Sequence, residues 1–281
     1  MSTGSVAQAH TLVAVMDCGD ARPAWRLDRH AVAARLHELL DDSDQIRQGR
    51  LNLCGPAVVF VIWLRRDPVA AATFATRLFE EGSAMLGALP VRPSQHLLEL
   101  PYGRTAQGAS CPQADWMLMA ALRDSANRVL SYRRQGGVLE AAAAITLPGA
   151  VGDWLAATGL YRDVRDQTNL VLPKGLLVRR ALHHAISLAP APERDVALLV
   201  AQEMFRQPAT AAERGRDRVV GLLPNHWVLL RSAVTIDGPR VSFQFWSWGA
   251  QHTALLDRVR FARGYHGCVM ANGRLAPNSL R

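Results

Sequence analysis

Gln48-Gly49-Arg50-Leu51-Asn52-Leu53-Cys54-Gly55-Pro56-Ala57-Val58-Val59-Phe60-Val61-Ile62-Trp63-Leu64 is the stretch on which the fold turns. Up to Leu53 it is mostly polar with one glycine and reads as a loop. From Cys54 onward it is apolar. Pro56, third in that apolar run, suits the first turn of a helix and not its interior, because proline has no N–H to donate and its ring collides with a preceding turn. The apolar side chains would fall on nearly all sides of this helix, which predicts that it is buried. A cysteine in the first turn sits where unpaired amide N–H groups and the helix dipole favour thiolate over thiol. Gln48 lies six residues upstream, on the loop that enters the helix. Its side-chain amide can turn back and, with the Cys54 backbone N–H, hold an oxyanion as a carbonyl becomes tetrahedral.

On the N-terminal side, Leu27, Val32, Leu36, Leu39 and Leu40 have helical spacing, while residues 1–20 read as a flexible N-terminus. On the C-terminal side, Asp67-Pro68 ends the Cys54 helix and starts another, striped by Ala70, Ala71, Phe74, Leu78 and Phe79. A connector rich in proline and glycine follows over residues 90–112. Helices are expected over residues 113–130, 149–158 and 176–186. The character changes after Glu193. Val196–Val200, with helix as its alternative, and His226–Ile236, Val241–Trp248 and Val259–Tyr265 read as strands, with Asp237-Gly238 as a hairpin turn. Helices first and strands last predict an α+β fold. The division is a helical part over about residues 21–192 and an antiparallel sheet over about 193–270, within a single domain spanning 21–281.

A nucleophile needs a base. His226 is the candidate, because it begins a strand directly after a Pro224-Asn225 corner and its ring can project from the end of the sheet. Other chemistries find less support. Cys18, Cys54, Cys111 and Cys268 are scattered with no CxxC pair, so neither a disulfide framework nor a zinc site is expected. His183-His184 lacks an acidic partner at helical spacing. Gln107 to Cys111 resembles a nucleophile segment, but with a spacing of four and Pro112 in place of glycine. No metal or cofactor is called for. The formal charge of +8 is nearly all arginine, with Lys174 the only lysine. The arginines are dispersed among acids, as in Arg162-Asp163 and Arg165-Asp166, and no basic stretch carries interleaved aromatics. A nucleic-acid partner is therefore not expected. No apolar run reaches membrane-spanning length, and the basic start of a Sec-type leader is missing.

Gln48-Gly49, four residues, then Cys54-Gly55 resembles the nucleophile segment of papain-like cysteine peptidases. Asn225-His226-Trp227 and Trp246-Ser247-Trp248-Gly249 resemble that family's histidine strand and Ser-Trp-Gly segment. The Leu53-Cys54-Gly55-Pro56-Ala57 form is similar to bacterial members, namely bacteriocin-processing peptidases and secreted papain-like effectors. The resemblance implies a papain-like fold, with the nucleophile helix packed on the sheet that carries the histidine. It also implies a protein or peptide substrate, a cognate inhibitor or immunity protein as partner, and a cytoplasmic existence until export by a dedicated secretion system. It assigns Cys54 as nucleophile, His226 as base and then acid, and Gln48 as oxyanion donor. The match departs at the third member. Trp246 stands where the family places Asn or Asp to orient the histidine, and an indole cannot accept from imidazole. Ser247 or Gln244 can accept through oxygen instead. Trp248 is expected to pack beside the histidine and shield it from water.

Two rival readings stay open in the sequence. One keeps the Cys–His chemistry on a different amide, in peptidoglycan or a glutamine side chain. The other is a non-catalytic binding protein on the same fold.

Overall fold

A computed structural model of the chain describes residues 3–49, 51–102, 111–131, 149–169, 183–185, 187–206 and 224–274. The described residues form an α+β protein of two compact units, with the division between Leu160 and Tyr161.

The first unit is helical. Helix α3 (Cys54–Arg66) is its axis, and every residue from Cys54 to Leu64 is buried, as the apolar run predicts. Helices α2 (Arg29–Asp41), α4 (Pro68–Glu81), α6 (Gln113–Ser131) and α7 (Ala150–Ala157) pack on it, and so does a 3-10 turn at Ser43–Gln45. Phe60, Trp63 and Phe74 meet in an aromatic cluster between α3 and α4. Asp67 caps α4 by accepting from the Ala70 N–H at 3.1 Å, and Gly82 ends that helix in the left-handed region at φ 74°, the conformation that favours glycine.

Two expectations for this unit are corrected. Residues 3–17 of the stretch read as flexible form a regular helix, α1 (Thr3–Asp17), packed on α2 and α4. Its anchor is a stripe of Ala9, Val13 and Met16, all essentially unexposed, which exposed apolar neighbours such as Ala14 and Val15 blur in the sequence. The connector over residues 90–112 is not all loop: a hairpin of β1 (Ala84–Leu86) and β2 (Leu89–Val91) begins before it and ends in its first residues, and the short α5 (Gln95–Glu99) lies within it.

The second unit is one antiparallel sheet of seven strands: β3 (Tyr161–Asp166), β4 (Arg194–Val200), β5 (His226–Leu230), β6 (Thr235–Asp237), β7 (Arg240–Ser247), β8 (Ala250–Asp257) and β9 (Tyr265–Arg274). The order is β3-β9-β4-β5-β7, with β6 continuing along the β5 edge of β7 and β8 pairing its other edge. Val196, Leu198, Val228, Phe243, Phe245 and Phe261 belong to the core on one face.

The expected strand from His226 to Ile236 is broken at residues 231–234, where the N–H groups of both Arg231 and Ser232 donate to the Gln244 carbonyl. Such a two-to-one arrangement is a bulge. Val259–Tyr265 is not a strand. It is mostly helix α8 (Arg258–Gly264), capped by Asp257, which accepts from the Arg260 N–H at 2.7 Å. The sheet also begins earlier than expected. Strand β3 is a charged edge whose apolar alternation is nearly absent, and pairing with β9 holds it; charge is a common guard on edge strands. The helix expected over residues 176–186 lies largely outside the described residues. Among the described residues no helix is long and apolar enough to cross a membrane.

Candidate active site

The predicted site residues fall in both units, two in each. In the helical unit, Cys54 opens α3 and is 4 % exposed. The residue before it, Leu53, supplies no side-chain cap, so the first-turn amides are not taken up by a side chain of their own cap. Gln48 is buried on the loop entering α3. Its carbonyl accepts from the Leu51 N–H at 3.2 Å, closing a turn in which Gly49 takes φ 59°.

The loop before Gln48 is gripped by Asp115, Arg35 and Cys111, side chains that no sequence spacing joins to Gln48. Asp115, near the start of α6, is fully buried and accepts from Arg35 Nε at 2.9 Å and Arg35 Nη2 at 3.0 Å. It also accepts from the Arg47 N–H at 2.7 Å. Arg35 Nη2 donates to the Gln45 carbonyl at 2.6 Å, and the Cys111 thiol donates to the Arg47 carbonyl at 3.1 Å. Burial pulls the Arg35 guanidinium down, but Asp115 and Glu38 outweigh it and leave its pKa above the ordinary value. Burial lifts the Asp115 carboxyl, with Arg35 and the Arg47 N–H working against that. Cys111, the decoy of the sequence, is a buried thiol bonded to the Arg47 carbonyl; residues 107–110 of that segment lie outside the described residues.

Arg123, two turns beyond Asp115 on α6, is a residue that sequence reasoning missed. Burial lowers its pKa, and the charge of Cys54 opposes that fall. The two groups therefore feel each other, and a cation within that range favours thiolate.

In the sheet unit, His226 opens β5 and is 3 % exposed. Asn225 fixes the start of the strand. Its Oδ1 accepts from the Gln202 N–H at 2.8 Å, and its Nδ2 donates to Glu203 at 3.0 Å, which ties it to a 3-10 turn at Gln202–Phe205. His226 Nε2 and Ser247 Oγ are 2.6 Å apart. Of the two residues considered as orienters, then, Ser247 is the one the structure brings to the histidine. Gln244 is exposed, and its Oε1 accepts from Gln251 Nε2 at 3.2 Å. Ser247 is itself anchored through its carbonyl, which accepts from His252 Nε2 at 2.9 Å.

Trp248 lies flat on the His226 ring, with centroids 4.5 Å apart and planes 7° from parallel. The backbone explains how it gets there. Ser247 and Ala250 pair across a two-residue hairpin in which Trp248 has φ 50° and Gly249 φ 77°. Positive φ at both central positions is the I′ pattern, which is easy for glycine and costs a side-chain-bearing residue about 1–2 kcal/mol. Trp248 is the only non-glycine with positive φ among the described residues. Buried in this way, His226 has its pKa pushed down to about 4. Replacing Trp248 by glycine is expected to remove the strain and uncover the ring. The imidazole titration, followed by NMR, should then move upward by about one unit or more; an unchanged titration would mean that Trp248 does not shield the ring.

Beside this hairpin lies an open cavity of about 700 Å³ within the sheet unit, bordered by Met204, Phe205, Phe245, Trp248, His252 and Leu255. His184, one of the histidine pair singled out in the sequence, is tied through Nδ1 to Tyr265 Oη at 2.8 Å and through Nε2 to Gln167 Oε1. No group of three or more potential metal ligands occurs among the described residues.

Comparison with known proteins gives no match, whether to a family model, a curated protein or a solved structure.

Proposed function

We propose that this chain is a papain-like cysteine hydrolase that cleaves an amide, with peptide bonds as the preferred class, through an acyl-thioester on Cys54. The observation that carries the reading is the His226 setting. The Ser247 hydroxyl engages Nε2, the Trp248 ring covers one face, and burial keeps the imidazole neutral near pH 7. With Nε2–H donating to Ser247, Nδ1 carries the lone pair and is the nitrogen left to accept a proton. A buried, oriented histidine that is neutral at pH 7 is free to take up a proton, the first condition on a general base, while its lowered pKa makes it a weak one. The other support is the Cys54 thiol in a helix first turn with Arg123 acting on it electrostatically.

In this mechanism the Cys54 sulfur attacks the substrate carbonyl carbon and its proton passes to His226 Nδ1. The Gln48 side-chain amide and the Cys54 N–H receive the oxyanion. The imidazolium returns the proton to the departing amine, and a water activated by the same nitrogen then hydrolyses the thioester.

The reading requires the Cys54 sulfur and the His226 imidazole to reach one substrate carbon. Dibromoacetone, which alkylates a thiolate and then a neighbouring imidazole, tests this directly. The expected product is a bridged peptide pair containing Cys54 and His226, identified by mass spectrometry. Bridging elsewhere, or simple alkylation at Cys18 in preference to Cys54, would overturn the reading. Incubation with a cell lysate and, separately, with peptidoglycan then sorts the substrate: new protein N-termini indicate a peptidase, altered muropeptides an envelope amidase.

A further inference from the structure

We propose that Cys111 and Asp115 are positioning residues for the oxyanion hole, holding the two peptide groups that flank Arg47 and so setting where Gln48 delivers its amide. The inference rests on the acyl-transfer reading above and adds to it a dependence on residues that touch neither substrate nor nucleophile.

The geometry is specific to the residue before Gln48. The Arg47 N–H donates to Asp115 Oδ2 at 2.7 Å. The Arg47 carbonyl, part of the peptide bond whose nitrogen belongs to Gln48, accepts from Cys111 Sγ at 3.1 Å. Two positions earlier, the Gln45 carbonyl accepts from Arg35, the guanidinium that grips both oxygens of Asp115. Residues 46–48 belong to no helix or strand, so no backbone ladder sets their course, and these side-chain bonds take its place. Beyond Gln48, the left-handed Gly49 turn fixes the exit. Gln48 is thereby placed from both sides.

The chemistry of the holders suits this task. Asp115 and Cys111 are 0 % and 1 % exposed. Burial raises the Cys111 thiol far above the ordinary range, which keeps on sulfur the proton that it donates. A buried carboxylate paired with a guanidinium is seldom the most stable filling for a core, and apolar residues of similar volume often do as well or better. Its presence here is accounted for by the direction it gives to one backbone N–H.

A merely structural role and a positioning role separate in two reactions of the same thiol. Acylation of Cys54 by p-nitrophenyl acetate develops an oxyanion, whereas alkylation by iodoacetamide does not. In Cys111→Ala and Asp115→Asn, acylation is expected to slow by about ten- to a hundredfold, below the full cost of losing an oxyanion donor, while alkylation of Cys54 stays within about twofold. Cys111→Ser, whose hydroxyl can still donate, should recover most of the loss. In a Gln48→Ala background neither substitution should slow acylation further, because what they position is gone. Unchanged acylation in folded Cys111→Ala overturns the proposal, and so does an equal slowing in the Gln48→Ala background. Should Asp115→Asn fail to fold, the Cys111 pair decides alone. Failure of the underlying reading looks different: acylation would then persist in Cys54→Ala whatever the state of Cys111.

Discussion

With His226 replaced by alanine, acylation of Cys54 by p-nitrophenyl acetate is expected to slow by about a thousandfold, and with Cys54 replaced by alanine the burst of p-nitrophenol should disappear. The two losses have different causes. Cys54→Ala removes the atom that becomes acylated. His226→Ala leaves the thiol in place but removes the group proposed to take its proton. Alkylation by a small reagent at high pH, where the thiol ionises unaided, should therefore survive in His226→Ala. The pH profile of the native chain adds a second check. Burial holds the imidazole pKa near 4, so the free base persists through the range in which an exposed histidine would already be protonated. The acid limb of acylation should consequently fall near pH 4 and not near the ordinary 6.5. Burst kinetics across pH, with and without His226, supply both measurements. A His226→Ala chain that keeps acylation within about tenfold of native would show that the imidazole is not the base.

What the sequence discloses and what it hides divide along physical lines. The Cys54 helix is legible because eleven consecutive buried residues from Cys54 to Leu64, with proline confined to the first turn, have few other structures open to them. His226 is legible as the start of a strand after the Pro224-Asn225 corner, whereas Ser247 is legible only through the resemblance of Trp246-Ser247-Trp248-Gly249 to a Ser-Trp-Gly segment, which left Gln244 beside it as the alternative. Charged strands and small-residue helices are not legible in this way. Strand β3 is held by its neighbour and not by its own pattern, and α1 buries alanine and valine where a long apolar stripe would have been noticed. Helix α8 defeats a strand reading through one cap, Asp257. The grip on the Gln48 loop is invisible for another reason. Asp115 meets Arg35 across 80 positions and Arg47 across 68, and no local spacing announces such a meeting. Trp248 shows the opposite case. Its role beside the histidine can be anticipated, yet its left-handed backbone runs against its own propensity, and nothing in a tryptophan's chemistry predicts φ 50°. Local rules broken at a position that serves a neighbouring imidazole fit the general pattern in which strain collects at functional sites.

Stability should carry the same imidazole's signature. In the unfolded chain His226 titrates near 6.5, and in the folded chain near 4. Between those values the unfolded state binds the extra proton and the folded state does not, so acidification through this window favours unfolding. At about 1.4 kcal/mol per pH unit, the loss accumulated by pH 4 is on the order of 3 kcal/mol, a large part of the margin of a typical domain. Above pH 6.5 the contribution is flat. His226→Gln, which keeps a polar side chain of similar reach but does not titrate, should remove this slope. Relative to native, the variant is then expected to gain stability steadily as the pH falls from 6.5 to 4, whatever its starting deficit at neutral pH. Asp115, with its pKa raised by burial, and His37, with its pKa lowered by burial and by His10, also titrate with folding, but they are common to both chains and cancel in the difference. Denaturant midpoints for the two proteins at several pH values across the window give the comparison. Parallel curves would mean that the His226 imidazole takes up its proton as readily in the folded protein as in the unfolded chain, and a ring that accessible to protons would not be the sheltered base on which the acyl-transfer chemistry depends.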